Sequence, residues 1–96
     1  MKITLSQLVK LEGEPTIHRF TKEYESNIMP AVGAYIEDPF WKDPYEYRII
    51  EVTINYYDNS CYVVLEQFKG EISKDNKELW ADVAKSHEWK ASWDFQ

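Results

Sequence analysis

Two runs of alternating apolar residues, joined by the dipeptide Asp58-Asn59, constrain the fold of this chain more than any other feature of its sequence. In the first run, the apolar side chains that share one face are Ile50, Val52, Ile54 and Tyr56. In the second run they are Cys61, Val63 and Leu65. Such alternation is typical of strands, and Asp and Asn both tolerate the positive φ of a tight turn. The pattern predicts an antiparallel hairpin over about residues 47–68.

The apolar face also predicts the register of this hairpin. A two-residue turn at Asp58-Asn59 pairs Tyr56 with Cys61, Ile54 with Val63 and Val52 with Leu65. A one-residue slip would turn every side chain of one strand to the wrong face, and we expect a four-residue loop to keep the same register. On the second face, this register sets Glu51 directly opposite Glu66.

The N-terminal segment carries the signals of a short helix. Thr4 and Gln7 have the spacing of a capping box, in which the threonine accepts from a helical N–H and the glutamine reaches back. Leu5 and Leu8 belong to one apolar stripe, and Gly13 is a natural helix stop. We therefore expect a helix over residues 4–13.

The following segment fits two structures. Pro15 suits a first helical position, and apolar side chains recur at helical spacing from Ile17 to Ile28, which favours a second helix over residues 16–28. The alternation in Thr16–Thr21 also fits a β-strand. The helix is the preferred interpretation.

Three further elements complete the predicted fold. Residues 31–36 form a short strand, and a helix runs from Asp75, which has capping-box spacing to Glu78, as far as Ser86. Alternation over residues 88–95 predicts a closing strand. The expected fold class is α+β, a single domain with N-terminal helices and a C-terminal helix on a small antiparallel meander sheet. A strongly curved sheet or a half-open barrel fits the same elements.

Acidic residues are concentrated in the middle of the chain. The net charge is -6, and the segment from Glu23 to Glu66 contains nine acids against only Lys42 and Arg48, so that it carries -7 and the rest +1. Affinity for phosphate comes from Lys and Arg, so we expect no direct binding to nucleic acid. An acidic surface keeps a small protein in solution; the sharper interpretation is a surface for a basic protein partner.

The candidate surface is the loop around two Asp-Pro pairs, because aromatic residues there lie among acids. Its residues are Glu37, Asp38, Phe40, Trp41, Asp43, Tyr45 and Glu46. An exposed Phe40 and Trp41 would be anchors for a partner, whereas buried ones would cover the core. The predicted function is a non-enzymatic interaction or inhibitor-like protein that presents this surface to a basic partner. Mimicry of nucleic acid towards a nucleic-acid-binding protein is one version.

The second face of the hairpin supports an alternative function, a small-molecule or cation-binding module built on Glu51, Tyr62 and Glu66. Like charges opposite one another favour a bound cation, a basic partner or a shared proton. The ordinary interpretation is that both carboxylates turn into water or meet Lys69 or Arg48.

Catalytic, metal and cofactor sites are not expected. Cys61 faces the apolar side of the hairpin, where cysteine is usually inert, and no pair of Cys or His has zinc spacing. No apolar run approaches the ~18 residues of a membrane span, and a lone cysteine excludes a disulfide within the chain, which together favour the cytosol. A free sheet edge leaves a homodimer open.

Overall fold

A mixed β-sheet forms most of this protein. The computed structural model describes residues 1–42 and 44–95, and the side chains of all of these except Asp94 and Phe95. The strands are β1 (Lys2–Leu11), β2 (Ile17–Glu25), β3 (Tyr35–Glu37), β4 (Glu46–Asn55), β5 (Ser60–Leu65), β6 (Glu71–Ile72) and β7 (Lys90–Ala91). The single α-helix of this described part, α1, spans Lys77–Ser86, and 3-10 turns cover Lys74–Asn76 and Ser92–Phe95.

β1 is an interior strand of the sheet, with a strand on each side of it. The strand order is β3-β4-β5-β1-β2-β7, and β6 pairs with the far end of β1. β1 is antiparallel to β2 but parallel to both β5 and β6. A parallel pair needs a crossover rather than a tight hairpin, so the predicted antiparallel meander is correct only for β3-β4-β5.

The predicted N-terminal helices are wrong, and with them the α+β class with several helices, because β1 and β2 occupy their place. The inward side chains of β1 are Ile3, Leu5, Gln7, Val9 and Leu11, and all are buried. The polar Gln7 interrupts what is otherwise a period of two. Thr4 and Gln7 are therefore strand residues on opposite faces, and not a capping box.

β2 shows the same interruption. Its inward side chains Phe20 and Tyr24 flank Lys22, which is 8% exposed. A lysine at an inward strand position is unusual because burying its charge is costly unless it is paired. The strand alternative considered for Thr16–Thr21 is the correct one.

The β4–β5 hairpin is confirmed, but its register differs from the predicted one. Its loop has four residues, so Ile54 pairs with Cys61 and Val52 pairs with Val63. These pairs lie two residues away from the predicted ones. The longer loop keeps the same apolar face but does not keep the same partners.

A bulge in β4 changes the face of the residues before it. The ladder shifts between Ile49 and Glu51, so that Ile49 pairs with Leu65 and Glu51 pairs with Val64. One extra residue reverses the alternation. Ile49 is consequently buried, and Ile50, predicted to face the core, is 49% exposed.

The remaining elements are partly as predicted. The short strand comprises Tyr35–Glu37 rather than residues 31–36, and the closing strand over 88–95 is reduced to Lys90–Ala91. Trp89, Ala91 and Trp93 are nevertheless buried, as their alternation implies. The C-terminal helix is confirmed.

The sheet curls so that its two halves meet over the inner face. Asp38, which directly follows the edge strand β3, contacts Lys22 and Tyr24 on β2. The apolar core lies between this inner face, α1 and the Asp-Pro loop. In the part of the chain that the structure describes, no helix is long and apolar enough to cross a membrane.

Candidate functional site

Asp38 is the centre of a buried hydrogen-bond network, although the sequence suggested a surface role for it. Its Oδ2 accepts from Lys22 Nζ at 2.9 Å and from the Tyr24 hydroxyl at 2.6 Å. Its Oδ1 accepts from the Phe40 backbone N–H at 2.9 Å and from Trp89 Nε1 at 3.0 Å. Four donors from three separate parts of the chain satisfy this carboxylate, so Asp38 fixes the loop to the sheet.

The network shifts the pKa values of its members. Burial alone would raise the pKa of Asp38, but hydrogen bonds from Tyr24, Lys22 and the Phe40 and Trp89 N–H groups hold it below its usual range. Burial would lower the pKa of Lys22, and the bond to Asp38 instead raises it. Burial also raises the pKa of the Tyr24 hydroxyl. At neutral pH the site is therefore a charged pair with a neutral tyrosine.

Phe40 and Trp41 are buried and cannot be anchors for a partner. They are 3% and 2% exposed, and they pack with Trp89 in the aromatic core. Trp41 Nε1 donates to Gln7 Oε1 at 3.1 Å, and Gln7 Nε2 donates to the Glu66 carbonyl at 3.1 Å. This chain of bonds explains why Gln7 lies inside the sheet. The loop aromatics cover the core, as the alternative interpretation had it.

Three of the candidate loop residues remain on the surface. Glu37 and Glu46 are exposed, as is Tyr45 at 73%. The predicted contribution of Asp43 lies outside the described residues. The candidate surface is thus reduced from an acidic, aromatic loop to two glutamates and one tyrosine.

Glu37 and Glu46 lie directly opposite one another on the β3–β4 ladder. The Ile49 N–H donates to the Ala34 carbonyl at 2.8 Å, and the alternation from that bond puts Glu37 and Glu46 at a non-hydrogen-bonded pair, where side chains come closest. Neither carboxylate forms an ion pair with any residue described. Like charges in this position destabilise a sheet. The sequence analysis missed this pair because it placed the strand at residues 31–36, one residue before Glu37. The signal that could have found it is the pair of Asp-Pro dipeptides, which breaks the chain between β3 and β4.

Glu37 also lines two cavities. One, of about 590 Å³, lies between the Asp-Pro turn and Tyr45, with Lys42 at its wall. The other, of about 290 Å³, lies between β3 and the end of β2. Both are open to solvent, so Glu37 stands at the junction of two accessible concave surfaces.

The alternative ligand site predicted on the second face of the hairpin, at Glu51, Tyr62 and Glu66, does not form as predicted. Glu51 pairs with Val64, so it is not opposite Glu66 as predicted. The Glu66 carboxylate instead accepts from the Arg48 backbone N–H at 2.9 Å. The Tyr62 hydroxyl accepts from Arg19 at 3.3 Å. The four-residue loop is the physical reason, because it shifts the register of the whole hairpin by two residues and so brings Val64, not Glu66, opposite Glu51.

His18 joins a glutamate and a serine in an arrangement that the sequence did not suggest. Its Nε2 lies 3.0 Å from Glu14 Oε2, and its Nδ1 lies 3.2 Å from Ser92 Oγ. The order hydroxyl, imidazole, carboxylate is that of nucleophilic triads. Ser92 Oγ, however, also accepts from the Arg19 backbone N–H at 3.0 Å, just where β7 ends beside β2. The serine thereby continues the strand pairing, and we assign the cluster a structural role.

Other chemical groups add little to the site. The hydrogen bond from His18 is the main cause that lowers the pKa of Glu14. Burial raises the pKa of the Cys61 thiol, which makes a reactive thiolate unfavourable. Among the residues described, no group of His, Cys, Asp or Glu side chains could hold a metal ion.

Comparison with known proteins adds no family to this picture. No family model matches the chain, and neither the curated proteins nor the solved structures contain a match.

Proposed function

We propose that this chain is a non-enzymatic interaction protein that binds a basic protein partner through the edge formed by β3 and the start of β4. The observation that carries the proposal is the exposed, unneutralised pair Glu37–Glu46. Opposed carboxylates cost free energy in the free protein, and a lysine or arginine from a partner would remove that cost. Binding would therefore gain both the new ion pair and the relief of the repulsion.

The surroundings of the pair support the same proposal. Tyr45 is exposed beside it, and tyrosine is enriched in interfaces because it combines a large rigid ring with a polar tip. The net charge of -6 would favour the approach of a basic partner. A nucleic-acid-binding protein is one class of such partner, with the two carboxylates standing where phosphates bind. The cytosol is the compartment we propose, since Cys61 is a free, buried thiol.

The test is selection from a library of random peptides displayed on phage, with the wild-type protein as bait. We expect the retained peptides to be enriched in Lys and Arg, and their binding to weaken as salt is added. The double variant Glu37→Gln/Glu46→Gln should bind them about tenfold more weakly at low salt, which corresponds to roughly 1.4 kcal/mol.

A matched control separates the site from the overall charge. The double variant Glu12→Gln/Asp82→Asn changes the net charge by the same amount at exposed positions outside the candidate surface. It should bind the selected peptides nearly as the wild type does. Peptides without basic enrichment, or equal losses in both double variants, would contradict the proposal.

A further inference from the structure

The edge strand β3 presents free backbone groups to solvent. The Ile49 N–H donates to the Ala34 carbonyl, so the alternation of an antiparallel ladder turns the groups of Ala34 and Ile36 towards β4. The N–H and C=O groups of Tyr35 and Glu37 then point away from the sheet. No loop in the described part of the chain bonds to them. An edge of this kind is a template for another strand.

An apolar groove lies directly beside this free edge. Its volume is about 290 Å³, and it runs between β3 and the end of β2, with its walls and floor formed by Ile3, Leu5, Tyr24, Ile28, Pro30 and Ile36. The floor residues Ile3 and Leu5 are core residues, but Ile28 at the rim is 80% exposed. A side chain entering the groove would cover apolar surface that the free protein leaves in water.

The two faces of β3 would contact different kinds of side chain on an added strand. Ile36 faces the groove, and strand alternation puts Tyr35 and Glu37 on the opposite face, although Glu37 also contributes to the lining of the groove. On that face Glu37 lies beside Glu46, and Tyr35 lies opposite Arg48. A strand added to this edge would therefore gain from a basic residue next to Glu37.

We infer that the partner adds an extended segment to the free edge of β3, with apolar side chains in the groove and one basic side chain at Glu37 and Glu46. This rests on the proposed function and names its mode of recognition, strand addition. Backbone hydrogen bonds to Tyr35 and Glu37 supply affinity, and the groove and the glutamate pair supply the choice of sequence. A second copy of this chain fits less well, since pairing two β3 edges would bring four acidic side chains together.

The experiment is hydrogen exchange of single amides, followed by NMR, with the tightest basic peptide from the displayed library. In the free protein the amides of Tyr35 and Glu37 should exchange fast, and the Ile36 amide, which faces β4, should be protected. Bound peptide should slow exchange at Tyr35 and Glu37 by about tenfold or more, with little change at Ile36. Ile28→Ser should weaken binding by roughly tenfold, the expected loss for an apolar contact of this size. Ile17→Ser, at an exposed isoleucine of β2, is its control.

The outcomes separate the mode from the function. If binding depends on Glu37 and Glu46 but leaves the Tyr35 and Glu37 amides unprotected, strand addition is wrong and the proposed function stands. If binding is independent of the two glutamates, the proposed function is wrong, and the inference of strand addition that rests on it is wrong as well. Protection that grows with protein concentration in the absence of peptide would identify a second copy as the occupant, and would overturn the inference.

Discussion

The carboxylate of Asp38 lies 2.9 Å from the ammonium group of Lys22, with side-chain exposures of 0% and 8%. This ion pair joins the segment after β3 to the inner face of β2. Breaking a buried pair by removal of one partner is far more costly than never having built it, because a charge is left without compensation. The pair therefore fixes the position of β3, and with it the position of Glu37.

Replacement of Asp38 by Asn should strongly destabilise the fold. Lys22 would keep its buried charge without an anion, and we expect a loss of about 3–5 kcal/mol in the free energy of unfolding, or complete unfolding. Urea denaturation followed by circular dichroism measures this. Asp82→Asn, on the exposed face of α1, is the control and should change stability by less than about 0.5 kcal/mol. An Asp38→Asn protein as stable as this control would refute the role of the pair.

The same carboxylate should make stability depend on acid. Its folded pKa is held below the usual range, so its contribution is fully present above the unfolded pKa of about 3.9 and is lost as pH falls through the lower, folded value. We expect the wild type to lose stability steeply below about pH 4. Any Asp38→Asn protein that still folds should show a weaker loss over that range, measured by urea midpoints at stepped pH. Parallel profiles for the two proteins would contradict the assignment.

Trp41→Phe should cost more stability than its loss of volume explains. It removes the Nε1 donor and leaves Gln7 Oε1, inside the sheet, without a partner. An unsatisfied buried acceptor costs about 1–3 kcal/mol. Trp80→Phe is the control for the loss of ring volume, since no residue in the described part of the chain accepts a hydrogen bond from that half-buried indole. Equal denaturation midpoints for the two variants would show that the Trp41–Gln7 bond contributes nothing.

The two strands that were predicted to be helices, β1 and β2, are those with a polar residue on their inner face. The inner face of β1 is apolar from Ile3 to Leu11 except at Gln7, and on the inner face of β2 Phe20 and Tyr24 flank Lys22. Each exception is satisfied by a residue distant in the chain, Trp41 for Gln7 and Asp38 for Lys22. No local pattern contains that information, and so the helix signals at Thr4 and Gly13 prevailed in the prediction.

The elements that could be predicted are those whose cause is local. The β4–β5 hairpin follows from alternation and a turn, and the helix up to Ser86 follows from its own spacing. The bulge at Ile50 has no sequence signal of its own, and it is the reason that Ile49 is buried in place of Ile50. The predicted pair of Glu51 with Glu66 does not form because the loop has four residues rather than two. Glu37 and Glu46 were both among the residues that the sequence singled out, but their pairing depends on the β3–β4 register, which the sequence did not reveal.

A substitution after α1 should stabilise the protein. Glu88 has φ 66°, and the bonds from its N–H to the Lys85 carbonyl and from the Trp89 N–H to the Ala84 carbonyl form a Schellman end. Glycine adopts this conformation without strain, so Glu88→Gly should raise the free energy of unfolding by about 1 kcal/mol. Asp82→Gly, inside the helix, should instead lower it by about 1 kcal/mol. Opposite signs in thermal unfolding test the assignment, and a loss in both variants would contradict it.

The acidic pair should reduce the stability of the free protein. Glu46→Gln removes the repulsion from Glu37 and should raise the free energy of unfolding by about 0.2–1 kcal/mol at low salt. The gain should shrink as salt is added, because the pair is exposed and screened. Urea denaturation at two salt concentrations measures both effects. A Glu46→Gln protein that is less stable than the wild type would show that this glutamate has a stabilising structural contact.

Recognition of a basic partner by the Glu37–Glu46 pair is tested most sharply by the affinity of the basic peptides selected by phage display, measured by titration calorimetry for the wild type and for Glu37→Gln/Glu46→Gln. We expect about tenfold weaker binding by the variant at low salt, a smaller difference at high salt, and unchanged binding by Glu12→Gln/Asp82→Asn. Equal affinity of the wild type and the Glu37→Gln/Glu46→Gln variant would contradict the claim that this glutamate pair recognises a basic partner.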